Sequence, residues 1–133
     1  MISKVTYLGN LRTEAVHIKS GNAIMTDAPI DNKGKGEAFS PTDLVATALA
    51  SCMLTIMGIV AERNHLKLYG ATAEVEKIMG VKPRRINEIK IKIIFNENFD
   101  KITRRKLESA ALTCPVSSSL NIDLKETIKF IYP

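Results

Sequence analysis

Two cysteines are the residues of this chain best suited to chemistry. Cys52 lies in the apolar run 44–61, which contains no charged residue, and Cys114 opens the segment CPVSSS. A cysteine thiolate is a nucleophile, a metal ligand and a site of reversible oxidation. Two cysteines at wide spacing do not make the disulfide framework of a small secreted protein. We therefore expect a disulfide between them to be transient and chemical in purpose.

The positions of the two thiols predict different reactivities. Pro115 suits the first position of a short helix, which places Cys114 near an N-cap, where the helix dipole and free amides favour a thiolate. Cys52 lies about three turns into a long helix, where the dipole contributes little and apolar burial raises a thiol pKa. On these grounds alone Cys114 is the more reactive thiol, and Cys52 needs a cation supplied from elsewhere.

Two simpler interpretations of the cysteines stay open. Free cysteine is among the most buried residue types and often only packs, which applies above all to Cys52. Alternatively, the two cysteines join His17 and His65 in a zinc site, but these four residues lack the short paired spacing of known zinc sites. We expect neither a metal nor a cofactor.

The hydrophobic pattern predicts the elements that hold these residues. Strands are expected in the first quarter, at 4–9, 14–21 and 22–29. The polar, glycine-rich stretch 31–39 is expected to be an exposed loop. Ser40, Pro41 and Asp43 then match the N-cap, the first position and the capping acid of a helix that runs to about Asn64.

The second half of the chain predicts a hairpin, a second helix and a last strand. The hairpin strands are expected at 67–80 and 86–97, the helix at 98–114 and the last strand at 122–132. In the second hairpin strand one face is apolar, formed by Ile89, Ile91, Ile93 and Phe95. Asp100 or Asn98 caps the helix. Its apolar stripe is expected to consist of Phe99, Ile102, Leu107, Ala110 and Ala111.

This order of elements predicts the fold class. Strands and helices segregate along the chain, which indicates an α+β fold with a mainly antiparallel sheet. No linker divides residues 1–133, so we expect a single domain. A helix that is apolar on all sides needs cover on more than one face, and we therefore expect a dimer with this helix at or near the interface.

Charge and hydropathy argue against two classes of partner. The net charge is +5, and basic residues cluster at 82–85 and 104–106. These clusters lack interleaved aromatic residues, so we expect no nucleic-acid binding. The run 44–61 is at the lower limit of length for a membrane span, and we expect it to be a buried helix instead. The start of the chain lacks the apolar stretch of a signal peptide, so we expect a cytoplasmic protein.

The stretch DAPIDNKGKGEAFSPTDLVATALASC, residues 27–52, resembles the OsmC/Ohr family, which contains osmotically inducible protein C and the organic hydroperoxide resistance proteins. The shared features are an Asp-x-Pro, a glycine-rich loop, Ser/Asn-Pro-x-acid-Leu, an alanine-rich helix and a cysteine. A second family motif, Cys-Pro-Val-Ser, matches 114–117. The order of elements is similar along the whole chain, and the loop is closer to the OsmC-like branch than to the best-studied peroxidases.

The resemblance implies a fold and an activity. The fold would be an intertwined α+β homodimer, with mainly antiparallel sheets from both chains around two long central helices. The activity would be thiol-dependent reduction of organic hydroperoxides, extending to hydrogen peroxide. Cys52 would be oxidised to a sulfenic acid, and Cys114 would condense with it to a Cys52–Cys114 disulfide. A dithiol reductant such as a lipoylated protein would then restore both thiols.

The resemblance also implies an arginine that activates the thiol. In the family it comes from the N-terminal strands of the partner chain, is held by a carboxylate, and stabilises both the thiolate and the leaving oxygen. Arg12 is the match in this chain. Family peroxidases place Glu directly after the proline, where this chain has Thr42. Asp43, one position on, or Glu37 in the loop would replace that Glu, so we expect an altered arginine clamp.

These observations together predict a homodimeric thiol peroxidase with Cys52, Cys114, Arg12 and Asp43 as its site residues. The alternative is a non-catalytic OsmC-like protein that binds a small hydrophobic ligand at the dimer interface. The missing Glu after Pro41 favours this alternative.

Overall fold

The computed structural model describes residues 1–133, which divide into a first unit, Met1–Val45, and a second unit, Ala46–Pro133. The six strands are β1 (Ser3–Gly9), β2 (Arg12–His17), β3 (Ala23–Asp27), β4 (Thr72–Val81), β5 (Arg84–Ile94) and β6 (Lys125–Ile131). The helices are α1 (Pro41–Arg63), α2 (Lys101–Leu112) and α3 (Pro115–Ser119), with a short 3-10 turn at Ile30–Asn32. The α+β class and the order of elements are confirmed.

The first unit is a three-stranded antiparallel sheet in the order β1-β2-β3. Because side chains alternate along a strand, the register places Val5, Tyr7 and Ile24 on one face and Arg12 with Asp27 on the other. The three apolar side chains are 62%, 65% and 49% exposed, respectively. This face of the sheet therefore exposes three large apolar side chains.

The segment after β3 turns back on itself. The amides of Gly34 and Gly36 donate to the carbonyls of Pro29 and Ala28, at 2.9 Å and 3.3 Å. A Cβ atom on Gly34 would overlap the carbonyl oxygen of Ala28, so only glycine allows this close approach. The predicted loop is confirmed, and backbone hydrogen bonds define its path.

Helix α1 begins with the predicted capping box. The Asp43 amide donates to Ser40 Oγ at 3.0 Å, and the Ser40 amide donates to Asp43 Oδ2 at 2.8 Å. By length and composition alone α1 could cross a membrane, a test that the core helix of a soluble protein also passes. Here one side of it is buried in the core of the second unit, through Ala46, Leu49, Ala50, Met53, Met57 and Ala61.

The second unit contains a sheet in the order β4-β5-β6. Its central strand β5 has the predicted apolar face, because Ile89, Ile91, Ile93 and, just after the strand, Phe95 are all buried. β4 and β5 are antiparallel, whereas β6 pairs with β5 in parallel. That parallel pairing requires a long crossover, which α2 and α3 supply.

Helix α2 confirms one of the two predicted caps and corrects the predicted stripe. Asp100 is the N-cap, and its carboxylate accepts a hydrogen bond from the Thr103 amide at 2.7 Å. Leu107 and Ala111 are buried as expected. Ile102 is 74% exposed, so its assignment to the buried stripe is wrong. It lies in the first turn of the helix, on a different side from these two residues.

Candidate functional site

The first unit holds an arginine between two carboxylates. Arg12, at the start of β2, is the register partner of Asp27, at the end of β3. Its Nε donates to Asp27 Oδ1 at 2.7 Å and its Nη2 donates to Asp27 Oδ2 at 2.8 Å. Such a paired contact fixes the plane of the guanidinium. The Asp27 side chain is 2% exposed, and the Arg12 side chain is 32% exposed.

Glu37 completes this arrangement, which we call the arginine clamp (Arg12, Asp27 and Glu37). Arg12 Nη2 also donates to Glu37 Oε2 at 3.1 Å, and the Glu37 amide donates to Asp27 Oδ2 at 3.1 Å. The hydrogen bonds from Arg12 hold the pKa of Asp27 below its usual value, and those to Asp27 and then Glu37 raise the pKa of Arg12. The clamp therefore keeps a permanently charged, oriented guanidinium with a partly exposed edge.

The sequence left open which acid replaces the Glu expected at position 42. Glu37, one of the two candidates, contacts Arg12 directly. Asp43, the other candidate, accepts the Ser40 amide as the capping acid of α1. Thr42 Oγ1 lies 3.1 Å from Ser40 Oγ. The catalytic assignment of Asp43 stays a prediction, and its hydrogen bonds with Ser40 are those of a capping acid.

Asp27 is the clamp residue that sequence reasoning missed. In the sequence it is the first residue of the Asp-x-Pro motif, and that motif alone predicts no role for it. The missing signal is the register of β2 against β3, which places Arg12 and Asp27 directly opposite each other. A buried carboxylate at the end of a strand needs charged or hydrogen-bonding partners, and Arg12 supplies them.

Both thiols lie in the second unit and differ in exposure. Cys52 is half-buried on α1 and packs against the core, whereas Cys114 is completely buried. As predicted, Cys114 is the N-cap of α3, and its sulfur accepts a hydrogen bond from the Ser117 amide at 3.4 Å. Cys52 is thus the thiol that solutes can reach more easily.

The structure does not give Cys114 the lowered pKa that its position at a helix N-terminus predicts. Burial raises the pKa of Cys114, the hydrogen bond from the Ser117 amide lowers it, and the neighbouring Cys52 raises it again. Burial has the largest effect because α3 has only five residues, which makes its dipole weak, and because the sulfur is shielded from water. Cys114 therefore favours the neutral thiol.

The two thiols are close enough to interact directly. A side-chain hydrogen bond and a charge interaction with Cys52 are both among the causes of the Cys114 pKa shift. Both cysteines are free thiols in this structure. The second unit therefore brings together a reachable thiol and a hidden one, an arrangement suited to closing a disulfide between them.

The sequence also suggested a metal site and contained two basic clusters. The structure contains no group of three or more His, Cys, Asp or Glu side chains arranged to hold a metal ion. The first basic cluster includes the turn between β4 and β5. In the second, Arg104 stacks over the ring of Tyr132, with its Cζ atom 4.1 Å from the ring centroid.

Comparison with known proteins identifies close and distant relatives. The model of the OsmC-like protein family matches residues 34–128. A crystal structure from Psychrobacter arcticus 273-4, described as a candidate osmotic stress induced and detoxification response protein, has 53% sequence identity, with a TM-score of 0.93. The match covers 100% of this chain and 96% of the Psychrobacter chain.

Two more distant structures share the fold. An organic hydroperoxide resistance protein OsmC from Legionella pneumophila is 16% identical, covers 98% of this chain and 95% of its own, and has a TM-score of 0.77. An organic hydroperoxide resistance protein from Elizabethkingia anophelis is 13% identical and has a TM-score of 0.77. The match covers 100% of this chain and 97% of that chain. No curated protein matches this chain.

Proposed function

This chain belongs to the OsmC-like protein family, and we propose that it is a thiol-dependent peroxidase that reduces organic hydroperoxides. The observation that carries the proposal is the pairing of half-buried Cys52 with fully buried Cys114. A peroxidatic thiol must meet substrate, whereas a resolving thiol needs to meet only the oxidised sulfur. The names of the Legionella and Elizabethkingia proteins, which share this fold, support the same substrate class.

In the first step the Cys52 thiolate attacks the terminal oxygen of the hydroperoxide. A sulfur–oxygen bond forms, the O–O bond breaks, and the alkoxide leaves and takes up a proton as an alcohol. Cys52 is thereby oxidised to a sulfenic acid. Cys52 packs against the apolar core, which suits a substrate with a hydrocarbon body.

In the second step Cys114 attacks the Cys52 sulfenic acid. The new sulfur–sulfur bond forms as the hydroxyl leaves, and with the thiol proton it departs as water. A dithiol, such as the lipoyl group of a lipoylated protein, then reduces the disulfide by two thiol exchanges. Such a cycle requires a reducing compartment, so we propose a cytoplasmic location.

Arg12 is the proposed activator. A fixed guanidinium beside Cys52 would favour the thiolate and stabilise the charge that develops on the leaving oxygen. The clamp supports this role, since Asp27 and Glu37 orient Arg12 and leave part of it exposed. In this proposal the guanidinium acts on Cys52 of the partner subunit in a homodimer.

The uncovered faces of the chain support the homodimer. One face of the first sheet exposes Val5, Tyr7 and Ile24, and on α1 the side chains of Val45 and Ile59 are exposed. A three-stranded sheet gains stability from burying its apolar face, and a second copy offers a matching surface. The dimer thus covers apolar surface and completes the site.

The rival proposal is a ligand-binding protein without turnover. It is favoured by Thr42, which occupies the place of the family's Glu, and by an apolar groove of about 430 Å³ beside α1. The groove is lined by Thr47, Ala50, Ser51, Leu54, Thr55, Ala73 and Val75. The clamp weakens this rival, because Arg12 retains an orienting carboxylate without a Glu at position 42.

Steady-state turnover separates the two proposals. Cumene hydroperoxide is supplied with either dihydrolipoamide or a monothiol, and loss of peroxide is measured for the wild type, Cys52→Ser and Cys114→Ser. We expect turnover with the dithiol, none in Cys52→Ser, and a single oxidation event per chain in Cys114→Ser. Equal, slow peroxide loss in all three proteins would exclude the peroxidase and leave the ligand-binding proposal.

A further inference from the structure

The short helix that carries Cys114 is tied to the sheet by a hydroxyl–carboxylate pair. The Ser117 hydroxyl donates to the Glu126 carboxylate on β6, with Oγ 3.0 Å from Oε1 and 2.9 Å from Oε2. The amide of the same Ser117 donates to Cys114 Sγ at 3.4 Å. Ser117 therefore contacts the thiol through its main chain and the carboxylate through its side chain.

Glu126 occupies an unusual position for a carboxylate. It lies on the same face of β6 as Ile128 and Phe130, which pack against the core. Its register partner on β5 is Ile89, which is fully buried. Glu126 is only partly buried, and both of its carboxylate oxygens accept from the Ser117 hydroxyl. Its side chain is therefore held against the helix that carries Cys114.

A second pair of the same chemistry provides a comparison. On the opposite face of the same sheet, Thr127 Oγ1 donates to Glu88 Oε1 at 2.6 Å. Glu88 also pairs with Lys125, which is largely exposed. The hydrogen bond from Thr127 lowers the pKa of Glu88, as is typical of a carboxylate with donors around it. No cysteine contact is made by this pair, which makes it a matched control.

We propose that Glu126 is a positioning residue for disulfide closure: through Ser117 it holds the Cys114 sulfur towards Cys52 and sets the rate at which the two sulfurs join. The place of this step in peroxide turnover rests on the proposed function, but closure itself does not. Cys114 is buried and reacts only where it lies, so the geometry of its attack controls the rate.

Closure can be followed without peroxide by using 5,5′-dithiobis(2-nitrobenzoate). The Cys52 thiolate attacks this disulfide, forms a mixed disulfide and releases one thionitrobenzoate. Cys114 then attacks the Cys52 sulfur, forms the internal disulfide, loses its proton and releases the second thionitrobenzoate. The first phase depends on the reagent concentration and the second does not, so stopped-flow absorbance separates them.

In Glu126→Ala we expect an unchanged first phase and a second phase slowed by about tenfold, because the attacking sulfur is less well placed. Ser117→Ala should match it, and the double variant should be no slower than either single variant. Glu126→Gln retains an oxygen that accepts the Ser117 hydroxyl, so it should recover most of the rate. Glu88→Ala should leave both phases unchanged.

Three results would overturn the proposal. They are a wild type that releases a single thionitrobenzoate, a Glu126→Ala second phase equal to that of the wild type, and a Glu88→Ala second phase slowed as much as that of Glu126→Ala. If Glu126→Ala does not fold, Ser117→Ala and Glu126→Gln decide the matter by the same criteria. A Cys52 that is inert to cumene hydroperoxide would end the peroxidase proposal and leave the closure result intact.

Discussion

The two units of this chain bury opposite kinds of residue. In the second unit the buried set is apolar and comes from α1, β5 and α2, with Cys114 among it. In the first unit the buried residues are polar, namely Thr26, Asp27 and Ser40, while apolar residues of the sheet are exposed. The second unit is thus organised around a hydrophobic core that holds two thiols. The first unit holds the arginine clamp, and Val5, Tyr7 and Ile24 of its sheet are exposed.

In the proposed mechanism this difference divides the chemistry between the two units. The proposed nucleophile, Cys52, and its proposed resolving partner, Cys114, both lie in the unit with a core. The cation lies in the unit without one, where a bidentate carboxylate fixes its orientation. In a homodimer, the arginine clamp of one chain would act on Cys52 of the other. The thiol would then gain a cation, and the apolar face of the first sheet would gain a surface to pack against. Four changes test this division, in order of decreasing effect.

The core of the second unit should be the most sensitive part of the chain. Ile91→Ala removes a buried side chain from the centre of β5 and should lower the free energy of unfolding by about 2–5 kcal/mol. Urea denaturation at one fixed protein concentration measures it. Ile122→Ala, at a residue that is 97% exposed, is the matched control and should have almost no effect. Equal losses in the two variants would contradict this account of the core.

Removal of the clamp cation should affect the peroxide step and spare disulfide closure. Arg12→Met should slow Cys52 oxidation by about a hundredfold, because one charged stabiliser of the leaving oxygen is lost. Asp27→Asn should slow it less, since Glu37 still contacts Arg12. Stopped-flow oxidation by cumene hydroperoxide measures the rate, with Arg105→Met on α2 as the control. An Arg12→Met rate equal to that of wild type would remove Arg12 from the mechanism.

Distortion of the loop behind the clamp should have an intermediate effect. In Gly34→Ala the new methyl group overlaps the Ala28 carbonyl, so the loop must shift, at a cost of about 1–3 kcal/mol. Because the Glu37 amide is bonded to Asp27, Cys52 oxidation should slow as well. Gly58→Ala in α1 meets no atom within 4 Å and should be neutral or stabilising. A harmless Gly34→Ala would show that the loop does not support the clamp.

The smallest effect concerns the thiols themselves. Since burial raises the pKa of Cys114 above its usual value of 9.0, its alkylation by iodoacetamide should accelerate with pH and reach its plateau only above pH 9. In Cys52→Ser at pH 7.5, Cys114 should react more slowly than in the same variant unfolded in urea, because burial raises its pKa and shields the sulfur from the reagent. A plateau below pH 8 would instead assign the activated thiol to Cys114.

Local signals in the sequence predicted much of the fold. The capping box of α1 and the alternation along β5 depend on neighbouring residues, so the pattern alone identified them. The exposure of Ile102 was missed, because the apolar periodicity of α2 does not show which side faces the core. The parallel pairing of β6 also depends on which strand the crossover reaches.

The site was predicted less completely, for a similar reason. Arg12 and Glu37 were identified, but Asp27 requires the register of two strands. Cys114 was placed correctly at an N-cap, yet its reactivity was predicted from the helix dipole alone. Its burial depends on residues distant in sequence, and that burial reverses the effect on its pKa. Sequence identified the chemical groups, and tertiary packing determined what each of them does.

The most direct test of the central claim is a count of free thiols by intact mass after one equivalent of cumene hydroperoxide. We predict that the reduced wild type loses both thiols within seconds, that Cys114→Ser stops at a Cys52 sulfenic acid, and that Cys52→Ser does not react. This pattern would establish both the pair and its order. Two thiols still free in the wild type after minutes would contradict the account, and an oxidised Cys52→Ser would reverse the two roles.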